Sequence, residues 1–188
     1  MKLKEKKPAL LLVDIQKGFD DEAYWGGNRN NKNAEAKAAQ LLALWRQYQL
    51  PVYHVIHSSQ NPVSRLHKTH DGFKIKDEVK PIDGEPVIIK EVNSGFIGTD
   101  LEERLRQNGV TTLVIVGMTT NHCISTTTRM AGNLGFDTYL ISDATATFDR
   151  KGLNGEIFPA DLIHQTALAS LQEEFAKVVD TEKLISDF

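Results

Sequence analysis

The single cysteine of the chain, Cys123, stands where a thiol can act as a nucleophile. The apolar run at residues 113–116 predicts a buried strand that turns at Gly117, and the helix that follows holds Cys123 in its first turn. A helix N-terminus has unpaired N–H groups and a partial positive charge, which favour a thiolate and can bind an oxyanion. A small buried apolar side chain is the alternative, and it is the commoner state of free cysteines.

Two more reactive side chains occupy the same kind of position. Asp14 follows the apolar run at residues 9–13, and Lys90 follows the run at residues 87–89. In an open parallel sheet, ligands bind outside the carboxyl ends of the strands. An ammonium group favours a thiolate, and a carboxylate can take and return a proton. Each residue could also be a turn cap or a solvated charge, but Asp14, Lys90 and Cys123 together predict an active site.

Strands and helices alternate along the whole chain. Apolar runs predict strands, and apolar residues spaced by three and four predict helices. The predicted strands are residues 9–13, 52–57, 87–89, 113–116, 136–142 and 176–179, and the predicted main helices are residues 34–49, 100–108 and 161–174. This alternation predicts an α/β sandwich with a mostly parallel sheet of about six strands. Since no linker interrupts the 188 residues, we expect one domain over residues 1–188.

Composition excludes several classes of partner. The net charge of −3 leaves no basic footprint for nucleic acid. No apolar run approaches the roughly 20 residues of a membrane span, and the run at residues 9–13 is too short for a secretory signal. One cysteine cannot form an internal disulfide, which fits a reducing compartment. We therefore expect a cytoplasmic protein that acts on a small molecule, without a nucleic-acid or membrane partner.

Several blocks of the sequence resemble the isochorismatase-like cysteine hydrolases, a family that includes nicotinamidases and N-carbamoylsarcosine amidohydrolase. In chain order the blocks are LLLVDIQKGF (10–19), VIIKEVNSGFIGTDL (87–101), GMTTNHCISTTTRMA (117–131), ISDATATFD (141–149) and HQTALASL (164–171). The resemblance implies a Rossmann-like three-layer α/β/α fold and an Asp14–Lys90–Cys123 triad. It also implies a cis peptide between Met118 and Thr119, with the backbone N–H groups of Thr119 and Cys123 as an oxyanion hole.

The same resemblance implies hydrolysis of a C–N bond in a small amide or ureido compound. With this triad the reaction would pass through a thioester and need no cofactor. Oligomers are common in the family, so a homodimer or homotetramer is expected. An isochorismatase-type vinyl-ether hydrolase and a non-catalytic protein of the same fold are the alternatives, and the intact triad with its thiol weighs against both.

The histidines do not form a convincing metal site. His54 and His57 are three residues apart in a predicted strand, so their side chains face opposite sides of the sheet. His67 and His70 lie in a loop, where two ligands alone do not complete a typical site. Nicotinamidases carry an Asp-x-His pair after the second strand, whereas residues 57–61 read HSSQN here. We therefore expect no metal and disfavour nicotinamide as substrate.

The loops at residues 17–33, 58–85 and 143–160 should shape the substrate pocket. The side chains selected for its wall are Phe19, Trp25, Thr120 and Phe148, although ordinary loop packing would explain them equally well. His122 is adjacent to the thiol, but we expect it to point elsewhere because Asp14 fills the role of base. Arg129 is expected to pair or pack on its helix and not to touch the substrate.

Overall fold

A parallel sheet of six strands forms the centre of the computed structural model, which describes residues 2–188. The strands of this sheet are β1 (Ala9–Val13), β2 (Val52–His57), β3 (Val87–Lys90), β4 (Thr112–Met118), β5 (Asp137–Ala146) and β8 (Lys177–Val179). Two short strands, β6 (Arg150–Lys151) and β7 (Ile157–Phe158), form a separate pair. The order across the sheet is β3-β2-β1-β4-β5-β8, and every neighbouring pair is parallel. The α/β prediction is therefore confirmed.

Helices cover both faces of this sheet. They are α1 (Glu22–Trp25), α2 (Ala34–Gln47), α3 (Leu101–Gln107), α4 (Ser125–Asn133), α5 (Ala160–Ala169) and α6 (Thr181–Ser186). Along β1, Leu10 and Leu12 pack with α2 and α6, whereas Leu11 and Val13 pack with α3 and α4. Alternate residues of a strand point to opposite faces, so a continuous apolar run is buried on both sides. The result is the three-layer arrangement that the resemblance implied.

The turn expected at Gly117 is wrong, because β4 continues through this residue to Met118. Gly117 has φ 128°, and a Cβ at this position would lie 1.8 Å from the carbonyl oxygen of Val13. The register with β5 shifts between Ile115 and Gly117, after which Met118 pairs with Ala146. Only a glycine lets β4 approach β1 this closely while it redirects the chain toward Cys123.

The ends of other elements also differ from the predictions. β5 continues to Ala146, and the predicted loop after it contains the antiparallel pair β6–β7. Helix α5 ends at Ala169 and not at residue 174, because the chain turns away and Glu173 adopts a left-handed φ of 70°. Arg129 Nε donates to Ser125 Oγ on the same helix at 3.3 Å, as expected, and its guanidinium also lies 4.7 Å from the ring centre of Phe175. Within residues 2–188, no helix combines the length and apolarity that crossing a membrane requires.

Candidate active site

Four neighbouring strands deliver one reactive side chain each to the same edge of the sheet. Lys90 ends β3 and pairs in register with His57, which ends β2. Asp14 follows β1 directly, and Cys123 lies in the helical turn that follows β4. The strand order reverses between β1 and β4, and this is the point at which open α/β sheets bind ligands. The predicted Asp14, Lys90 and Cys123 are therefore brought together at this edge.

A buried ion pair connects the acid and the ammonium of this site. Lys90 Nζ lies 2.8 Å from Asp14 Oδ2, and both side chains are fully buried. The ammonium also donates to the Val92 carbonyl at 3.2 Å and contacts His57 Nδ1 at 3.1 Å. These contacts use its three N–H donors, so its position is fixed. Asp14 adopts a left-handed φ of 52°, a conformation that aspartate tolerates better than most residues.

The thiol faces the carboxylate across a short gap. Cys123 lies in the π-helical turn Thr120–Ile124, and 9% of it is exposed. Its Sγ, a carboxylate oxygen of Asp14 and a ring nitrogen of His57 lie within 4.8 Å of one another. The second carboxylate oxygen, Asp14 Oδ1, is buried and has no hydrogen-bond partner in residues 2–188. The carboxylate that lies close to the thiol therefore has one oxygen that accepts no hydrogen bond within the described residues.

Burial raises the pKa of the Cys123 thiol above its ordinary range, and the negative charge of Asp14 raises it further. Lys90 lowers it, but not enough to compensate. The direction of this shift disfavours the free thiolate that a helix N-terminus would favour. One ammonium balances one anion in this buried site, and a second anion would be uncompensated. Transfer of the thiol proton to Asp14 keeps that balance, because it moves the negative charge without adding one.

The peptide bond between Met118 and Thr119 is cis, as the resemblance implied. Thr119 and Cys123 both line the cavity beside the thiol. This cavity has a volume of about 200 Å³. It is smaller than the roughly 300–1,000 Å³ of pockets that take drug-sized ligands, and so suits a small molecule. The lining residues are Phe19, Trp25, His57, Ser59, Ser64, Leu66, Asn93, Thr119, His122 and Cys123.

Two of the four side chains selected for the pocket wall lie there, namely Phe19 and Trp25. Thr120 is fully buried, and its hydroxyl instead contacts His164 Nδ1 at 2.9 Å. Phe148 is also fully buried and stacks behind the rings of Phe19 and Trp25, with centroids 6.2 and 6.5 Å away. The sequence indicated that these side chains lie near the site. Whether each one lines the cavity or is buried behind its wall depends on how the loops pack.

Sequence reasoning missed two histidines of the cavity wall. His57 was considered only as a metal ligand, although its place at the end of β2 puts it between β1 and β3. His122 was expected to point elsewhere, yet it lines the same cavity. Its Nδ1 contacts Thr119 Oγ1 at 3.3 Å and an Arg150 nitrogen at 3.4 Å. Burial and the Arg150 charge lower the pKa of His122, so its ring is neutral near pH 7.

Arg150 places a cation next to two residues of the cavity wall, Trp25 and His122. One guanidinium nitrogen donates to the Trp25 carbonyl at 3.1 Å, and another contacts His122. Its Nε is buried and has no hydrogen-bond partner in residues 2–188. No carboxylate of the described chain forms an ion pair with it, and burial lowers its pKa. The guanidinium beside the cavity wall is therefore suited to pairing with an anionic group.

Metal binding has little support from the geometry. Within residues 2–188, only Asp14, His57 and Cys123 form a group of three potential ligands. Lys90 already contacts two of these three ligands, so its ammonium would repel a second cation there. The rings of His67 and His70 lie 6.1 Å apart. Their nearest polar contacts are Thr69 and the Pro62 carbonyl, respectively.

The structure is a three-layer α/β protein with a candidate active site at the carboxyl edge of its parallel sheet. A family model described as the isochorismatase domain matches residues 8–183. The chain belongs to the isochorismatase family. It is 52% identical over 184 residues to the isochorismatase family protein YrdC of Bacillus subtilis, covering 98% of this chain and 97% of that protein.

A larger groove of about 620 Å³ near Pro51 and Arg104 is lined by none of the reactive residues.

Comparison with solved structures agrees with this assignment. A crystal structure assigned to the isochorismatase family, from Chromobacterium violaceum, superposes with a TM-score of 0.94 at 41% identity, covering 100% of this chain and 96% of that chain. Ureidoacrylate amidohydrolase RutB of Klebsiella pneumoniae is 28% identical over 210 residues, covering 94% of this chain and 85% of that protein. The chain is therefore an isochorismatase-family hydrolase.

Proposed function

We propose that this protein cleaves a C–N bond of a small amide or ureido compound through a thioester on Cys123. Asp14 serves as the acid and base, and Lys90 holds the charges of the pair. The observation that carries the proposal is the buried Asp14–Lys90 ion pair, which has a carboxylate oxygen within 4.8 Å of the thiol of Cys123, a residue that lines the cavity. A relative whose name specifies an amidohydrolase gives independent support.

The first half of the reaction forms the thioester. Asp14 accepts the Sγ proton as the sulfur attacks the carbonyl carbon, since the raised pKa of the thiol disfavours a free thiolate. The N–H groups of Thr119 and Cys123 stabilise the tetrahedral oxyanion, and such donors contribute about 3–4 kcal/mol each in comparable sites. Asp14 then gives its proton to the departing nitrogen, the C–N bond breaks, and the amine or ammonia leaves.

The second half hydrolyses the thioester. Asp14 takes a proton from water, and the resulting hydroxide attacks the thioester carbonyl. Collapse of the second tetrahedral intermediate breaks the C–S bond, and the sulfur recovers its proton from Asp14. The acid–base pair returns to its starting state, and the products are an amine or ammonia and a carboxylic or carbamic acid. Throughout, Lys90 balances the single negative charge that moves between oxygen and sulfur.

The cation beside the cavity wall favours a substrate with a carboxylate. Arg150 is partly buried, has no acidic partner in the described chain, and contacts Trp25 and His122 of that wall. A carboxylate there would accept charge-assisted hydrogen bonds. The neutral His122 beside it adds a further polar contact. We therefore favour amides and ureido compounds that also carry a carboxylate over uncharged ones.

The test is release of ammonia or amine from a panel of carboxylated and uncharged amides and ureido compounds. Each reaction is run with and without prior alkylation by iodoacetamide. We expect release that alkylation blocks, and an acyl adduct on Cys123 in mass spectra of the quenched enzyme. Unchanged release by Cys123→Ala would contradict the proposal. Thiol-independent cleavage of isochorismate would instead identify a vinyl-ether hydrolase, and no turnover on a broad panel would favour a non-catalytic role.

A further inference from the structure

His57 has contacts that the triad mechanism leaves unexplained. It occupies the end of β2, between the strands that carry Lys90 and Asp14. Its ring is half-buried and lines the cavity beside Cys123. Gln16, which is fully buried, fixes the backbone on both sides: its Nε2 donates to the His57 carbonyl at 3.1 Å, and its Oε1 accepts the His57 N–H at 2.9 Å. The position of this ring is therefore strongly determined.

The contact with Lys90 assigns the tautomer of His57. Lys90 Nζ lies 3.1 Å from His57 Nδ1, and an ammonium group can only donate. Nδ1 must therefore be the unprotonated, accepting nitrogen, and the ring proton of the neutral imidazole must be on Nε2. Burial and the Lys90 charge lower the pKa of His57, which agrees with a neutral ring. The charge of Asp14 and the Val92 carbonyl raise the pKa of His57 and so oppose this effect.

The Nε2–H group has no well-formed hydrogen bond to residues 2–188. The Val92 carbonyl also lies near the ring, but it accepts from Lys90 at 3.2 Å. We propose that His57 is a two-sided residue of the site: Nδ1 holds the Lys90 ammonium in position, and Nε2–H donates a hydrogen bond to the substrate. The substrate half rests on the proposed function, while the Lys90 half concerns the resting protein.

Two substitutions separate these contacts because each amide imitates one ring nitrogen. In His57→Asn the amide oxygen replaces Nδ1 and keeps the acceptor for Lys90, but the substrate donor is lost. In His57→Gln the amide nitrogen replaces Nε2 and keeps the donor, but the acceptor for Lys90 is lost. His67→Asn, in an exposed loop outside the cavity, is the matched control.

The two variants should therefore differ in the kinetic constant that changes when they hydrolyse an amide. For His57→Asn we expect KM to rise about tenfold with kcat nearly unchanged, as for loss of one neutral hydrogen bond to substrate. For His57→Gln we expect kcat to fall on the order of 100-fold, since a displaced catalytic group has effects of this size. Equal kinetics for both variants and wild type would overturn the proposal, as would identical losses in both.

Two measurements on the resting protein remain informative even if no amide is hydrolysed. Nitrogen NMR at pH 7 should show the Nε2–H tautomer of His57, and a protonated Nδ1 would refute the assignment. Alkylation of Cys123 by iodoacetamide should slow at least several-fold in His57→Gln and stay near the wild-type rate in His57→Asn. Wild-type rates in both variants would overturn the Lys90 contact, whereas absence of turnover by the wild type would count against the proposed function alone.

Discussion

Replacing Asp14 should separate the acidity of the thiol from its catalytic competence. The Asp14→Asn change removes a buried negative charge that raises the pKa of Cys123 and leaves Lys90 to pair with a thiolate. We therefore expect this variant to hold a more acidic thiol than the wild type. Hydrolysis should nevertheless be lost, because an amide can neither accept the thiol proton nor return one to the leaving nitrogen.

The size of the effect follows from the geometry. A carboxylate oxygen of Asp14 and the Cys123 Sγ are at most 4.8 Å apart. Two unit charges at that distance repel by about 3.5 kcal/mol at an effective dielectric constant of ~20. Since about 1.4 kcal/mol corresponds to one pH unit, the midpoint of thiol ionisation should fall by about 2.5 pH units.

The assay is the pH dependence of Cys123 alkylation by iodoacetamide, followed by mass spectrometry of the intact protein. At neutral pH the variant should react faster than the wild type, while turnover of an accepted amide falls by a factor of at least about 1,000, on the order of the loss of a triad member. Asp77→Asn, at an exposed position, is the matched control. A midpoint in Asp14→Asn that equals or exceeds the wild-type value would refute the charge argument.

Three further predictions concern specificity, folding and pH. Arg150→Gln should raise KM on the order of tenfold or more for carboxylated substrates while leaving uncharged amides nearly unaffected, as measured by initial rates on matched pairs. Gly117→Ala should destabilise the protein by about 3 kcal/mol or prevent folding, because its Cβ would overlap a backbone oxygen of β1; urea unfolding measures this. Burial raises the pKa of Glu35, but hydrogen bonds from Arg29 and Lys76 outweigh it and lower the pKa to about 2. The charged Glu35 thus stabilises the fold above its unfolded pKa, and this stabilisation disappears as pH falls toward 2. Glu35→Gln should cost about 3 kcal/mol at pH 7 and progressively less in acid.

Each of these three predictions would be contradicted by a specific result. Equal rises in KM for charged and uncharged substrates would show that Arg150 supports the loop without binding a carboxylate. A Gly117→Ala protein with wild-type stability would mean that β4 can move away from β1 at little cost. A stability loss in Glu35→Gln that stays constant between pH 7 and pH 3 would show that packing, and not charge, explains the effect.

The positions of the main strands and of their carboxyl ends were predictable from the sequence. Continuous apolar residues in β1 and β4 mark strands buried on both faces, and this local signal does not depend on partners. It was enough to place Asp14, Lys90 and Cys123 at one edge of an α/β sheet. The homodimer or homotetramer, the single domain and the cytoplasmic location remain predictions.

Two features of the site were decided only by the tertiary structure. His57 joins the site because β2 lies between β3 and β1, and strand order is a long-range property that local patterns do not encode. The pKa of the thiol is raised because many residues distant in sequence exclude water from it and place a carboxylate next to it. Cys123 was identified from its position in the chain, but desolvation and charge balance determine its acidity, and both arise only once the chain is folded.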